Sequence, residues 1–299
     1  MAYMAKNPKT RADIRLWWPQ ARSVLICAFD YSANKKAPLP QGHGRVARYA
    51  GERDYHLVLR EKMETLSLQL KTLEPSADSK VFVDTSPILE RLYGHFAGLG
   101  WIGKNTMLLS EKGSYFFLSG MAMNLELPPD ETETNHCGSC RRCLEACPTG
   151  AFPQERVMDA GKCISYWTIE HKGEIPQEKH SGMGEWVFGC DVCQEVCPFN
   201  RFASFGRTFK TPGYESLPLK EITQWTDSEF KSRFSKTALA RTKRAGLLRN
   251  ARIALKNAVT THVTPAQAGV QSSDLLDSGL RRNDELEQLQ NAEKLPPCD

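Results

Sequence analysis

The chain has 299 residues, 40% hydrophobic and 25% charged, the composition of an ordinary soluble globular protein with room for about two domains. No stretch approaches the roughly 18 consecutive apolar residues of a membrane span, and Met1 to Gln20 mixes charges with Trp17, Trp18 and Pro19 instead of a signal peptide's apolar run, so a cytoplasmic protein is expected and a membrane partner is not. The net charge of +4 is uneven: residues 259–299 hold three basic and seven acidic side chains, net −4, which leaves +8 on residues 1–258 and leaves a polyanionic partner open.

In chain order, Ser23–Phe29 (SVLICAF) is a short apolar run with β-branched members and predicts a buried strand. Arg48 and Tyr49 lie in GRVARYAGERDYH, whose plainest reading is a solvated loop. Glu52–Leu73 carries Leu57, Leu59, Met63, Leu66, Leu70 and Leu73 at helical spacing and predicts an amphipathic helix. Val81–Val83 predicts a second strand. Asp84-Thr85-Ser86-Pro87 follows, with Ser86 as N-cap and Pro87 opening a helix from Ile88 to Ala97. In this position Asp84 reads by itself as a turn or capping group. Gly98-Leu-Gly-Trp-Ile-Gly103 breaks the helix, Lys104-Asn105-Thr106 forms a bend, and extended chain is expected around Tyr115–Leu118 and Met121–Leu125. Strands interleaved with helices predict a layered α+β or α/β domain over residues 1–128.

Ten cysteines carry the strongest signal, and eight of them fall between residues 137 and 197. Cys137, Cys140, Cys143 and Cys147 follow C-x2-C-x2-C-x3-C with Pro148 next. Cys190, Cys193 and Cys197 repeat the end of that pattern before Pro198, and Cys163 lies between the two runs. This is the bacterial ferredoxin spacing, in which the fourth cysteine ligates the other cluster. Three closely spaced thiolates wrap one face of a cuboidal cluster, and the fourth lies too far along the chain to join them. One 4Fe–4S cluster is therefore expected on Cys137, Cys140, Cys143 and Cys197, and the other on Cys147, Cys163, Cys190 and Cys193, in a ferredoxin-like domain over residues 129–205. Zinc usually takes C-x2-4-C pairs separated by a longer loop, and a disulfide framework needs an oxidising compartment; both fit this run less well.

Lys231 to Lys256 holds nine basic and no acidic residues. Its GLLRNARIALKNA stretch has helical periodicity, so a basic helical segment over 206–258 is expected to present these charges on one exposed face, suited to phosphates. Residues 259–299 are polar, acidic and weakly periodic, and a disordered tail is expected there.

VDTSPILERLYGHFAGLGWIGKNTMLL at 83–109, the eight-cysteine block, CISYWTIEHKGEIP at Cys163–Pro176 and GCDVCQEVCPFN at Gly189–Asn200 together resemble the epoxyqueuosine reductase family, over about residues 10–258. The resemblance implies a cobalamin-holding α/β domain similar to that of reductive dehalogenases, a two-cluster ferredoxin-like domain and the start of a helical-repeat segment. It also implies the last step of queuosine biosynthesis, reduction of epoxyqueuosine to queuosine at the wobble position of tRNA, with cobalamin, two 4Fe–4S clusters and an external one-electron donor. By the same resemblance Asp84 is the catalytic proton donor, a role suited to a carboxylic acid kept protonated by burial. Arg48, Tyr49, Lys104, Asn105, Ser165 and Tyr166 are the cobalamin-binding candidates. His43, His56 and His95 have the chemistry to ligate cobalt, but related enzymes are expected to hold cobalamin without a histidine ligand, and none is assigned. The family pattern begins before this chain's first residue and continues beyond its basic segment, so a shortened form is expected. Two other functions use the same residues: a corrinoid iron–sulfur reductase of a small molecule, and a plain ferredoxin-type electron carrier, for which the leading domain is superfluous.

Overall fold

The computed structural model describes residues 5–31, 38–50, 53–201, 203 and 214–263. Of the disordered tail expected over 259–299, residues 259–263 instead continue the last helix, and the rest, with Cys298, lies outside the described residues, as does the stretch from 204 to 213. The elements are α1 (Pro8–Ala12), β1 (Ser23–Asp30), β2 (His43–Val46), α2 (Tyr55–Leu73), β3 (Ser79–Phe82), α3 (Glu90–Phe96), β4 (Trp101–Ile102), β5 (Leu108–Leu109) and β6 (Phe116–Met123). The cysteine-rich part adds α4 (Arg142–Glu145), α5 (Gln177–Met183), β7 (Trp186–Phe188) and α6 (Val192–Glu195), and then come β8 (Ser216–Pro218), α7 (Leu219–Gln224), α8 (Asp227–Phe234) and α9 (Lys243–Val263). No helix among the described residues is long and apolar enough to cross a membrane.

The first sheet has the order β1-β6-β3 and is antiparallel throughout, with Ile26 opposite Gly120 on one side of β6 and Phe82 opposite Gly120 on the other. The two extended stretches expected around 115–125 are thus one strand, continuous from Phe116 to Met123. Helix α2 packs on this sheet through Leu59 and Met63, both essentially inaccessible. Leu57 and Leu73, which share its helical spacing, face solvent. Asp54 caps α2 by accepting the His56 N–H at 3.0 Å, a typical N-cap bond.

The expected start of α3 is corrected. The helix begins at Glu90 behind Leu89, and no side chain caps it. Ser86 and Pro87 stay in the loop, because Asp84 turns left-handed with φ 49° and the Glu90 carboxylate folds back to accept the Asp84 N–H. Such a backbone state is uncommon outside glycine, though aspartate and asparagine tolerate it.

A second sheet, β7-β2-β8, joins three distant parts of the chain: β2 runs parallel to β7 and antiparallel to β8. Its core continues through Val46, Phe188, Leu217, Phe234 and Leu247, so the leading domain, the cysteine-rich segment and the basic segment share one apolar interior. Residues through Thr260 form one compact unit.

The basic segment differs from the expected exposed stripe. Leu247, Asn250, Ala251 and Ala254 form the buried face of α9, and Arg249 at its edge is only 9% accessible. Its guanidinium donates to the carbonyls of His171 (3.0 Å), Gly173 (2.7 Å) and Trp167 (2.8 Å). Arg244 donates to the Trp225 carbonyl, and Arg241 pairs with Glu170 at 2.6 Å. Lys231, Arg233, Lys236, Lys243, Arg252 and Lys256 remain exposed. Arg249→Met keeps the aliphatic stem but leaves the buried Trp167 carbonyl and two partly buried ones without their donor, a loss of about 1–3 kcal/mol for a buried group. We expect a drop of about 3 kcal/mol in apparent stability, read from the urea midpoint; an unchanged midpoint would show that water replaces the guanidinium.

Candidate functional site

The short helices α4 and α6 pack against each other, and each carries one cysteine of a C-x2-C-x3-C turn, Cys143 and Cys193. Burial pushes the Cys143 thiol up to about 11, and charge on Cys197, Cys137 and Cys140 adds to the rise. Burial likewise pushes Cys190 up to about 12, with Asp191, Cys163 and Cys147 contributing, and raises Cys193 beside Cys190 and Cys163. The thiols that feel one another therefore sort into Cys137, Cys140, Cys143 and Cys197 on one side and Cys147, Cys163, Cys190 and Cys193 on the other. The sets adjoin where Cys193 also feels Cys143.

None of the eight forms a disulfide. Donors already point at the sulfurs: Trp101 Nε1 reaches Cys137 Sγ at 3.4 Å, and the Ala151 N–H reaches Cys147 Sγ at 3.3 Å. Backbone N–H groups of Phe199 and Asn200 serve Cys197 in the same way. Hydrogen bonds of this kind favour thiolate and tune a cluster's potential. Trp101 is held there by a close crossing: a Cβ on Gly100, whose φ is 152°, would lie 1.8 Å from the Leu109 carbonyl oxygen.

A cleft of three adjoining chambers opens beside the second set. One, of about 350 Å³, is walled by Cys147, Cys163, Cys190 and Cys193, with Tyr49 and Phe117 among the groups facing them. A second, of about 220 Å³, shares Met107, Phe116 and Phe117 with the first and adds Tyr55, Asp84 and Glu90. The third, of about 900 Å³, holds Asp84, Glu90, Arg156 and Arg241, and Arg91 lines all three. Concave spaces of this size with a few convergent polar groups are the usual form of ligand sites.

Asp84 stands just past the end of β3 with 49% of its side chain accessible. Its Oδ2 accepts from the Tyr55 hydroxyl and faces His56 Nε2, each at 3.0 Å, while His56 Nδ1 lies 2.7 Å from Asp54 Oδ1. The His56 hydrogen bond holds the Asp84 carboxyl below the usual carboxylate range, although burial pulls the other way. The expectation that burial keeps Asp84 protonated is therefore corrected: its imidazole neighbour outweighs burial. Burial by itself would lower His56, but hydrogen bonds to Asp54 and Asp84 raise it to about 9. Burial and the Asp84 charge raise Glu90 to about 7. Sequence reading passed over Glu90 and Tyr55 and weighed His56 only as a metal ligand. The available signal was Asp54-Tyr55-His56 at a helix start, with an acid as cap.

The cofactor candidates divide. Tyr49, Asn105 and Ser165 line the cysteine-walled chamber, and Asn105 also donates to the Cys193 carbonyl at 3.3 Å. Lys104 is buried against Glu155 at 2.9 Å and Tyr166 packs on Trp167 and His171, so neither lines that chamber. Arg48 sits over the Tyr115 ring, its backbone N–H on Asp191. His43 meets Ser216 and His95 meets the Gly100 carbonyl, while His56 is held by its two aspartates.

A double four-cysteine module on an α+β domain, opening into an acid- and arginine-lined cleft, defines an iron–sulfur oxidoreductase. A 4Fe-4S double cluster binding domain model matches residues 136–200, and the model for epoxyqueuosine reductase QueG, DUF1730, matches residues 11–85. The epoxyqueuosine reductase of Synechocystis is 42% identical over 262 residues, 86% of this chain and 90% of that one. The chain belongs to the epoxyqueuosine reductase family. A Bacillus subtilis epoxyqueuosine reductase, solved with an aspartate-bearing catalytic loop swung out of its active site, aligns with TM-score 0.79 and 31% identity over 85% of this chain and 69% of that one. Another, solved with an epoxyqueuosine-modified tRNA stem loop, aligns with TM-score 0.77 and 33% identity over 82% of this chain and 67% of that one.

Proposed function

We propose that this chain reduces the epoxide of epoxyqueuosine in a tRNA anticodon loop, in the cytoplasm, using two 4Fe–4S clusters and cobalamin, with Asp84 delivering a proton to the departing oxygen. The observation that carries this reading is the chamber walled by all four cysteines of the second set, sharing Phe116 and Phe117 with one of the chambers that hold Asp84 and Arg91 with both. A redox group bound in that passage has a cluster on one side and the acid on the other.

Conversion of an epoxide to an alkene and water consumes two electrons and two protons. No side chain supplies the electrons, so a cofactor carries that part while the protein positions it. Cobalamin, when bound, supplies a cobalt centre that takes electrons singly and delivers them to carbon. Tyr49, Asn105 and Ser165 would hold it, with Arg91 at the junction of the chambers. Cys137 and Cys140, in an exposed turn, make the first cluster the inlet for an external one-electron donor, and the second cluster the outlet toward the cleft. The exposed Lys231, Lys236, Lys243, Arg252 and Lys256 suit the tRNA backbone, an attraction that weakens with salt. Arg241, in the same segment, reaches the wall of the Asp84 chamber.

The test is conversion of epoxyqueuosine-containing tRNA by anaerobically prepared, pre-reduced enzyme, followed by nucleoside mass spectrometry. Queuosine should form only when clusters and cobalamin are both loaded. Equal conversion by corrin-free enzyme would remove cobalamin from the reading, and an inert, fully loaded enzyme would overturn the activity.

A further inference from the structure

The reaction needs two protons per turnover, and Asp84 can hold only one. We propose that His56, clamped between Asp54 and Asp84, is the proton store that loads Asp84: the proton on Nε2 passes to Asp84 Oδ2, and Asp84 hands it to the substrate oxygen. This inference rests on Asp84 as the acid of the proposed function and adds where its protons come from.

The geometry carries it. Asp54 Oδ1 lies 2.7 Å from His56 Nδ1, and Asp84 Oδ2 lies 3.0 Å from His56 Nε2. An ionised carboxylate only accepts hydrogen bonds, so a ring facing two of them must donate from both nitrogens, and only the imidazolium does that. Asp54 is itself fixed, as cap of α2 through the His56 N–H and by its own N–H on the Lys236 carbonyl at 2.7 Å. The Tyr55 ring stacks on Phe117 at 4.3 Å while its hydroxyl holds Asp84 Oδ2. The Asp54–His56–Asp84 line thus runs from a helix cap to the cleft, and His56, 26% accessible, can be reprotonated from solvent. Among the described residues, the other charged or titratable groups felt along this line are Glu90, which feels His56, and Tyr49 and Arg241, which interact with Asp84, Arg241 being paired with Glu170. Arg241 and His56 both draw the Asp84 carboxyl down.

His56 is a positioning residue in this scheme, because it acts through Asp84. Its folded value of about 9 lies above the ordinary 6.5, so the store is full through neutral pH and empties as pH rises through about 9. The ordered steps balance: His56 passes its proton to the ionised Asp84, which hands it to oxygen, solvent reprotonates His56, and a second pass by the same route completes the water. Solvent thus supplies two protons per turnover and the external donor two electrons, and His56 and Asp84 return to their resting states.

The test compares single-turnover pH profiles of wild type, His56→Gln and Asp84→Asn, each pre-reduced and loaded, on epoxyqueuosine-containing tRNA. Glutamine can still donate to Asp84 but carries no transferable proton. His56→Gln should lose about 100-fold at neutral pH, the scale of proton-transfer catalysis, and should regain rate as pH falls, because Asp84 must then load from solution. Its descending limb moves from near pH 9 to the acid side. A purely structural loss, equal at every pH with an unmoved limb, overturns the proposal, as does wild-type turnover. Nitrogen-15 spectra of the histidines give a readout independent of activity: the His56 imidazolium should persist above pH 8 in wild type, and titration near 6.5 would sink the store. Asp84→Asn separates the two readings. If it turns over normally, Asp84 itself is not the acid; if it is dead while His56→Gln is normal, only the relay fails.

Discussion

Asp84→Asn should retain both clusters, cobalamin and tRNA binding and lose epoxide reduction by about 100-fold or more, the range for removal of a general acid. The substitution isolates chemistry from architecture. Asparagine tolerates the left-handed backbone that Asp84 adopts at φ 49° as readily as aspartate does, and its oxygen can still accept from Tyr55 and His56. What it cannot do is take a proton from His56 and hand it on. Asp84 is ionised at rest, since the imidazole draws its carboxyl down, so in the proposed role it transfers a proton rather than storing one. If it were only a turn residue, asparagine would serve nearly as well, because the two rank alike in such positions. Single-turnover conversion, with iron, corrin and tRNA affinity measured on the same sample, decides it; near-normal turnover would leave the proton to water or to Glu90.

Cys197→Ala should cost about four of the expected eight irons per chain, and the lost cluster should be that of Cys137, Cys140 and Cys143. Cys197 belongs in sequence to the second motif, four residues beyond Cys193. In space it packs with Trp101, Leu109 and Cys137, and its thiol feels Cys137 and Cys140. Alanine removes the ligand and little else from a site that is 7% accessible. EPR of the reduced variant should show the signal of the cluster nearer the cleft and lack the other. If the signal lost is instead that of the cluster on Cys190 and Cys193, the crossed pairing is wrong. The same variant tests electron order: with the inlet gone, a protein donor should no longer drive turnover, while a small diffusible reductant should retain part of it.

The cysteine framework and the main secondary elements were legible in the chain, because both are local. Three thiols in a C-x2-C-x2-C turn share one face of a cluster whatever surrounds them. The apolar, β-branched run SVLICAF and the helical spacing of the α2 stretch set a strand and a helix through their immediate neighbours. Other features had no local signal. Nothing near Arg249 in the chain says that it points inward; the carbonyls that bury it belong to Trp167, His171 and Gly173, and only the packing of α9 brings them together. Lys104 reads as a loop charge until Glu155 arrives from the cysteine-rich segment. Asp84 was legible as a chemically interesting carboxylate, but its protonation was not. That depends on His56 at 3.0 Å, a partner 28 residues away in sequence. Electrostatic interaction falls with distance through space rather than along the chain, so the fold alone decided which group at this site carries the proton.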